Sequence, residues 1–172
     1  MNQALKTTRI DQFLGQPNAK TFAELQHFLY ASESDVASGD PSGQELRQLT
    51  MSLDKGDFSG VLATCDERFD RWCLSPRFHY LRGQAALQVG DQQLADESKS
   101  LSQECLYWLC ESGDGTFESP YRITYQTDEV DILMAFSLEK RCQQVVDGPN
   151  GRLDVVTLHN GVEIWFDVSN AL

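Results

Sequence analysis

Positive charge is scarce in this chain of 172 residues: 14 Lys and Arg stand against 26 Asp and Glu, a net charge of −12. That balance works against nucleic-acid binding, which needs a basic patch to displace the counterions of phosphates. It works equally against docking on anionic membranes. The sequence lacks any apolar run near the ~18 residues that span a bilayer. Its opening stretch, MNQALKTTRIDQFLGQPNAK, lacks the apolar centre of a signal peptide. Five cysteines (Cys65, Cys73, Cys105, Cys110 and Cys142) include no C-x-x-C. An odd count without a framework spacing points to reduced, mostly buried thiols and a cytoplasmic chain. The three histidines, His27, His79 and His159, stand alone, so no metal and no cofactor is expected. There is no G-x-S-x-G, and no cysteine pairs a helix start with a histidine partner, so nucleophilic catalysis has no candidate.

What is present is helical first. Thr21 and Glu24 offer a capping box, and Phe22, Leu25 and Leu29 follow helical spacing to about Tyr30. ASESDVASGDPSG reads as a loop. A second capping box, Ser42 with Glu45, opens a helix with Leu46, Leu49 and Leu53 on one face. Then two Gly-Asp pairs, Gly56-Asp57 and Gly90-Asp91, recur 34 residues apart at helix–helix turns. Glycine can take the left-handed conformation that ends one helix, and aspartate can cap the next. The helix after Asp57 should bury Phe58, Val61, Leu62, Cys65, Phe69 and Trp72; the helix after Asp91 should bury Leu94, Ala95, Leu101, Cys105 and Trp108. Phe78, Leu81, Ala85 and Val89 should line the helix between.

Helix–turn–helix units of that period resemble tetratricopeptide repeats, with the small residues Gly83, Gly90 and Ala95 where close packing needs them. Arg82 departs from the leucine usual before Gly83. The resemblance implies two degenerate repeats at about 42–109, capped on both sides because two repeats are too few to stand alone. An unrelated helical bundle is the alternative. It further implies a concave binding face carrying Arg77, Tyr80, Gln84 and Leu87, with Leu46 and Thr50 from the first unit. The lysine and asparagine clamp that some such repeats use has no match.

After Ser112 the period changes to two. Tyr121, Ile123 and Tyr125 alternate; TDEVDILMAF reads as a short helix with Thr127 as N-cap and Asp128 and Glu129 in its first turn. RCQQVV, RLDVVTLH and VEIWFDV read as strands, the last two joined at Asn160-Gly161. With a two-residue turn, Leu153, Val155 and Thr157 would face the core opposite Val168, Phe166 and Ile164. The fold class expected is thus α+β: helical hairpins over 1–111, then a small antiparallel sheet with one helix over 112–172.

Ser112-Gly113-Asp114-Gly115 resembles neither a phosphate loop, which needs strand–loop–helix order and a lysine, nor a calcium loop. Gly113 reads as a helix terminator. The same two-residue turn would set Asp154 opposite Asp167 away from the core, where like charges repel. A bulge could shift the register, Lys140, Arg141 or Arg152 could neutralise the pair, or the two carboxylates could grip a cation or share a proton.

The tail, from SGDGTFESPYRITYQTDEVDILMAFSL to IWFDVSNAL, is similar to an uncharacterised bacterial family, domain of unknown function 4919. That resemblance rests on the SGDG loop, the helix E-(Y/V)-x-x-L and the closing strand Trp165-Phe166-Asp167-Val168-Ser169. It implies the architecture and no activity. The functional expectation is a non-enzymatic module that binds a protein or peptide. The alternatives are an acidic inhibitor or mimic occupying a basic site on another protein, and a hydrolase using carboxylates near Asp154 and Asp167.

Overall fold

A computed structural model describes residues 3–33 and 43–171. Six helices come first: α1 (Gln3–Gly15), α2 (Ala19–Glu33), α3 (Gln44–Asp54), α4 (Phe58–Trp72), α5 (Pro76–Val89) and α6 (Gln92–Cys110). Then follow β1 (Tyr121–Arg122), α7 (Asp128–Ala135), β2 (Lys140–Gly148), β3 (Gly151–Leu158) and β4 (Glu163–Asp167). The sheet runs β1-β4-β3-β2. Strands β2, β3 and β4 are antiparallel as expected, and β1 adds a parallel edge beside β4, with Tyr121 next to Phe166. No helix among the described residues is long and apolar enough to cross a membrane.

The two Gly-Asp turns have one geometry. Gly56 sits at φ 80° and Gly90 at φ 83°, conformations open to glycine without steric cost. In both, two backbone bonds seal the helix end: Gly56 and Asp57 N–H reach Leu53 and Ser52 carbonyls, and Gly90 and Asp91 N–H reach those of Leu87 and Ala86. Each aspartate then caps the following helix, Asp57 accepting from Gly60 N–H at 3.1 Å and Asp91 from Leu94 N–H at 3.0 Å. Between the hairpins, Ser75 caps α5 by accepting from Phe78 N–H, with Pro76 supplying the first helical residue. Gly83 lets α5 and α6 approach: a Cβ there would lie 3.3 Å from Ser98 Cβ and 3.5 Å from Ala95 O.

Two helix starts differ from the sequence reading. A helix, α1, precedes the first expected one and buries Ile10 and Phe13. The second begins at Ala19, because Asn18 Oδ1 accepts the N–H groups of Lys20 and Thr21 while Thr21 Oγ1 accepts Asn18 N–H. Thr21 therefore stands inside the helix as the reciprocal partner of the cap. Ser42 lies outside the described residues, and Gly43 holds the N-cap position of α3. Its neighbour Glu45 accepts from Trp72 Nε1 at 2.6 Å and pairs with Arg68 at 3.0 Å, tying α3 to α4.

One continuous core joins the helices to the sheet, from Phe13, Leu25 and Leu46 through Val61, Phe78 and Leu109 to Ile132, Val156 and Phe166. The segment 121–125 is the shared seam. Gln26 on α2 donates to Thr124 Oγ1 and Arg122 O, Tyr30 OH donates to Ile123 O, and Tyr125 OH donates to Arg71 O.

The β3–β4 register is one residue away from the expected one. Its loop holds three residues, His159-Asn160-Gly161, with Gly161 at φ 84° and Leu158 N–H bonded to Val162 O. Asp154 therefore faces Phe166, and Asp167 faces Leu153. A slip of one exchanges the faces of a strand, so on β3 it is Val156 and Leu158 that join the main core, while Phe166 on β4 joins it as expected. The helical terminator role of Gly113 is also corrected. Helix α6 closes at Glu111 with right-handed geometry, and Gly113 has no side chain because the Pro120 and Ser119 carbonyls lie against it.

Candidate functional site

The expected binding residues do not all meet. Tyr80, Gln84 and Leu87 recur at helical spacing along one side of α5 and line a groove of about 400 Å³ with Asp96, Lys99 and Gln103 of α6. Its floor includes Gly83 and Ala95, whose missing or minimal side chains leave the depression between the helices. Tyr80 is 55% exposed and Leu87 46%, large apolar surfaces held open on the groove rim. Beneath them His79 is buried, its Nε2 hydrogen-bonded to Cys73 O at 2.8 Å, and burial lowers its pKa to about 4. The floor is therefore uncharged at neutral pH.

Arg77 points elsewhere. Its Nη2 and Nε lie 2.6 and 3.0 Å from Asp131 Oδ1, so it clamps α5 to α7. Leu46 is core, 1% exposed, and Thr50 Oγ1 donates to Leu46 O within its own helix. The face named from the repeat resemblance thus reduces to its α5 members Tyr80, Gln84 and Leu87.

A second concentration of chemistry lies at the start of α7, where acids are buried. Asp128 is fully enclosed and accepts the N–H groups of Thr124 and Tyr125 at 2.8 and 2.9 Å. Burial pushes its pKa well above the usual carboxylate range despite those donors. Thr127, read as the N-cap, makes no side-chain cap bond. Glu129 is 7% exposed and Asp154 5%. The Gln143 amide donates to both, at 2.9 Å to Glu129 and more closely to Asp154, and Lys140 Nζ lies 2.5 Å from Gln143 Oε1. Burial first, then the Asp154 carboxylate, raises the Glu129 pKa to about 8. Glu129 can therefore hold a proton at neutral pH.

The carboxylate that sequence set against Asp154 is absent from this cluster. Asp167 Oδ1 accepts Ser169 N–H at 3.0 Å, at the edge of a separate depression of about 180 Å³ lined by Phe117, Pro120, Pro149 and Ser169. Asp114, in the SGDG loop, is fully exposed and accepts from the N–H and hydroxyl of Thr116, which lower its pKa. The loop closes on itself through Asp114 and Gly115 N–H to Ser119 O, and Gly115 O accepts from Trp165 N–H. It therefore continues the sheet edge beyond β1. Among the described residues no group of three or more His, Cys, Asp or Glu side chains converges as a metal site would.

Sequence reasoning missed Asp128, Glu129 and Gln143. A signal existed: Asp128 stands four residues before Ile132, and Glu129 four before Leu133, both of which are buried. On a helix that spacing sets each acid on the same face as a core residue. No family model matches the chain, and no curated protein or solved structure matches it either.

Proposed function

We propose that the chain is a non-enzymatic interaction module whose α5–α6 groove receives a peptide segment of a partner protein, with a bulky apolar side chain seated between Tyr80 and Leu87. The observation that carries this reading is the pairing of those two exposed apolar side chains over a floor of small residues. Aromatic anchors beside a preformed groove are where binding energy concentrates. Gln84, Asp96, Lys99 and Gln103 would supply the polar rim that fixes orientation. All five cysteines are free thiols, which suits a reducing, cytoplasmic setting. The tetratricopeptide likeness of the hairpins is part of the same reading, and so is the division into helical region and α+β cap.

A peptide display library selected on the wild-type protein and counter-selected on Tyr80→Ala/Leu87→Ala tests it. Binders should carry a bulky apolar residue, lose about tenfold or more in affinity on the variant, and hold at high salt. Binders indifferent to the variant would sink the groove. The net charge of −12 favours a second reading, an acidic mimic of a basic-site ligand. Its binders would be basic and would fall away steeply as salt screens them.

A further inference from the structure

Among the described residues, the sheet ends in an open strand. Strand β2 is outermost, nine residues long and exposed over most of its length. Its outward hydrogen-bonding groups follow from the ladder on its other side. Arg152 O accepts Val168 N–H, and Leu158 N–H donates to Val162 O, so the even-numbered residues of β3 face β4. Its odd-numbered residues then face β2, where the register brings Val146, Gln144 and Cys142 opposite Leu153, Val155 and Thr157. Antiparallel alternation leaves Gln143, Val145 and Asp147 with their N–H and C=O groups directed away from the sheet. Edges of this kind are usually blunted by proline, by a bulge or by inward charge. Here there is no proline within the strand, and the only register shift falls between Lys140 and Cys142, leaving Cys142–Gly148 regular.

The side chains along this edge are complementary to themselves. The strand begins Lys140-Arg141 and carries Asp147 just before its last residue, Gly148, a local basic start in a strongly acidic chain. Because only odd-numbered residues present outward groups, two such strands can meet antiparallel only about a residue, not between two. Centring on Gln144 sets Gln143 opposite Val145 within the regular stretch and brings the Lys140-Arg141 start of each strand, at the register shift, to the end of the other strand that carries Asp147. Centring on Val145 would set Asp147 against Gln143 and carry the basic start beyond the ladder. Opposed charges across strands stabilise, which favours centring on Gln144. A two-fold contact of this form closes on itself and stops at a dimer.

We infer that β2 pairs with β2 of a second copy of this chain about Gln144, joining two four-stranded sheets into one continuous sheet. The contact is independent of the α5–α6 groove and leaves that groove open in both copies.

Sedimentation velocity across a wide concentration range tests it. The full chain should pass from monomer to dimer as concentration rises. Asp147→Arg sets arginine against the partner copy's basic start at both ends and should weaken the dimer about tenfold or more. Arg141→Asp/Asp147→Arg restores opposite charges and should recover most of the wild-type affinity. Val145→Pro removes an outward N–H without touching the β2–β3 ladder, so it should give monomer with an unchanged circular dichroism spectrum. In a Cys142→Ser background, Gln144→Cys lies on the two-fold axis and should form a disulfide-linked dimer on mild oxidation. A chain that stays monomeric at every concentration overturns the inference, as does a dimer indifferent to Asp147→Arg and to Val145→Pro.

Discussion

Among the described residues, three helices end in the same hydrogen-bond pattern, and they do not end on the same residue. Helices α3 and α5 close on Gly56 and Gly90; α7 closes on Ser137, at φ 54°, with Ser137 and Leu138 N–H bonded to Met134 and Leu133 carbonyls. The aspartates differ in the same way. Asp57 and Asp91 are exposed caps that each accept one N–H, whereas Asp128 is wholly enclosed and accepts two. In the helical hairpins, turn chemistry is local and the acids stay outside. In the α7–sheet region, acids are drawn inside and backbone strain is tolerated. The hairpins thus leave an open depression at the α5–α6 groove, while the C-terminal region encloses Asp128, Glu129 and Asp154 in its packing.

The largest expected effect separates the aspartates. Asp128→Ala strands two buried N–H groups and should cost about 3 kcal/mol or more, against roughly 1 kcal/mol for Asp91→Ala, the usual loss of an exposed cap. Urea denaturation of both variants measures the gap, and equal losses would erase the contrast.

Next comes pH. Glu129 has a folded pKa of about 8 against an ordinary 4.5. Its folded form holds a proton that the unfolded chain releases, so its contribution to stability is full below pH 4.5, falls as pH rises to about 8, and levels off above. Glu129→Gln should flatten that decline in thermal melts. On the acid side His79 works in the opposite sense. Its pKa is lowered from 6.5 to about 4, so stability is lost as pH falls through that window.

Smaller still is the exchange of turn residues. Ser137→Gly should stabilise by about 0.5–1 kcal/mol by relieving a left-handed serine, and Gly90→Ala should destabilise by about as much. Both are read from denaturation midpoints. Smallest of all, Tyr80→Ala should shift stability by less than ~0.5 kcal/mol, as exposed substitutions do. A larger loss would make Tyr80 part of the packing and not of a binding surface.

What sequence could disclose follows the same division. Gly56-Asp57 and Gly90-Asp91 were legible because a turn depends on its own four or five residues, and those residues recur. Helix α1 was not, since its burial rests chiefly on Ile10 and Phe13, too few to show a period. The β3–β4 register slipped because Asn160-Gly161 suits a two-residue turn as well as the end of a three-residue one. The strand itself could not correct the error: β3 is buried on both faces, so Leu153 and Val155 look as much like core as Val156 and Leu158. The acids of α7 were visible as charges, but Asp128 is met by the Thr124 and Tyr125 N–H groups, and Glu129 by Gln143 and Asp154 arriving from strands β2 and β3. Likewise Arg77 belonged to the groove by spacing alone, until Asp131 drew it to α7.

The claim that the helical hairpins carry the binding surface meets its most direct test in an amide NMR titration of a selected apolar peptide into isotopically labelled protein. Shifts gathered at Tyr80, Gly83, Gln84, Leu87, Asp96 and Lys99 are the predicted result. Shifts confined to Phe117–Pro120 and Asp167–Ser169, with the α5–α6 groove silent, would contradict it.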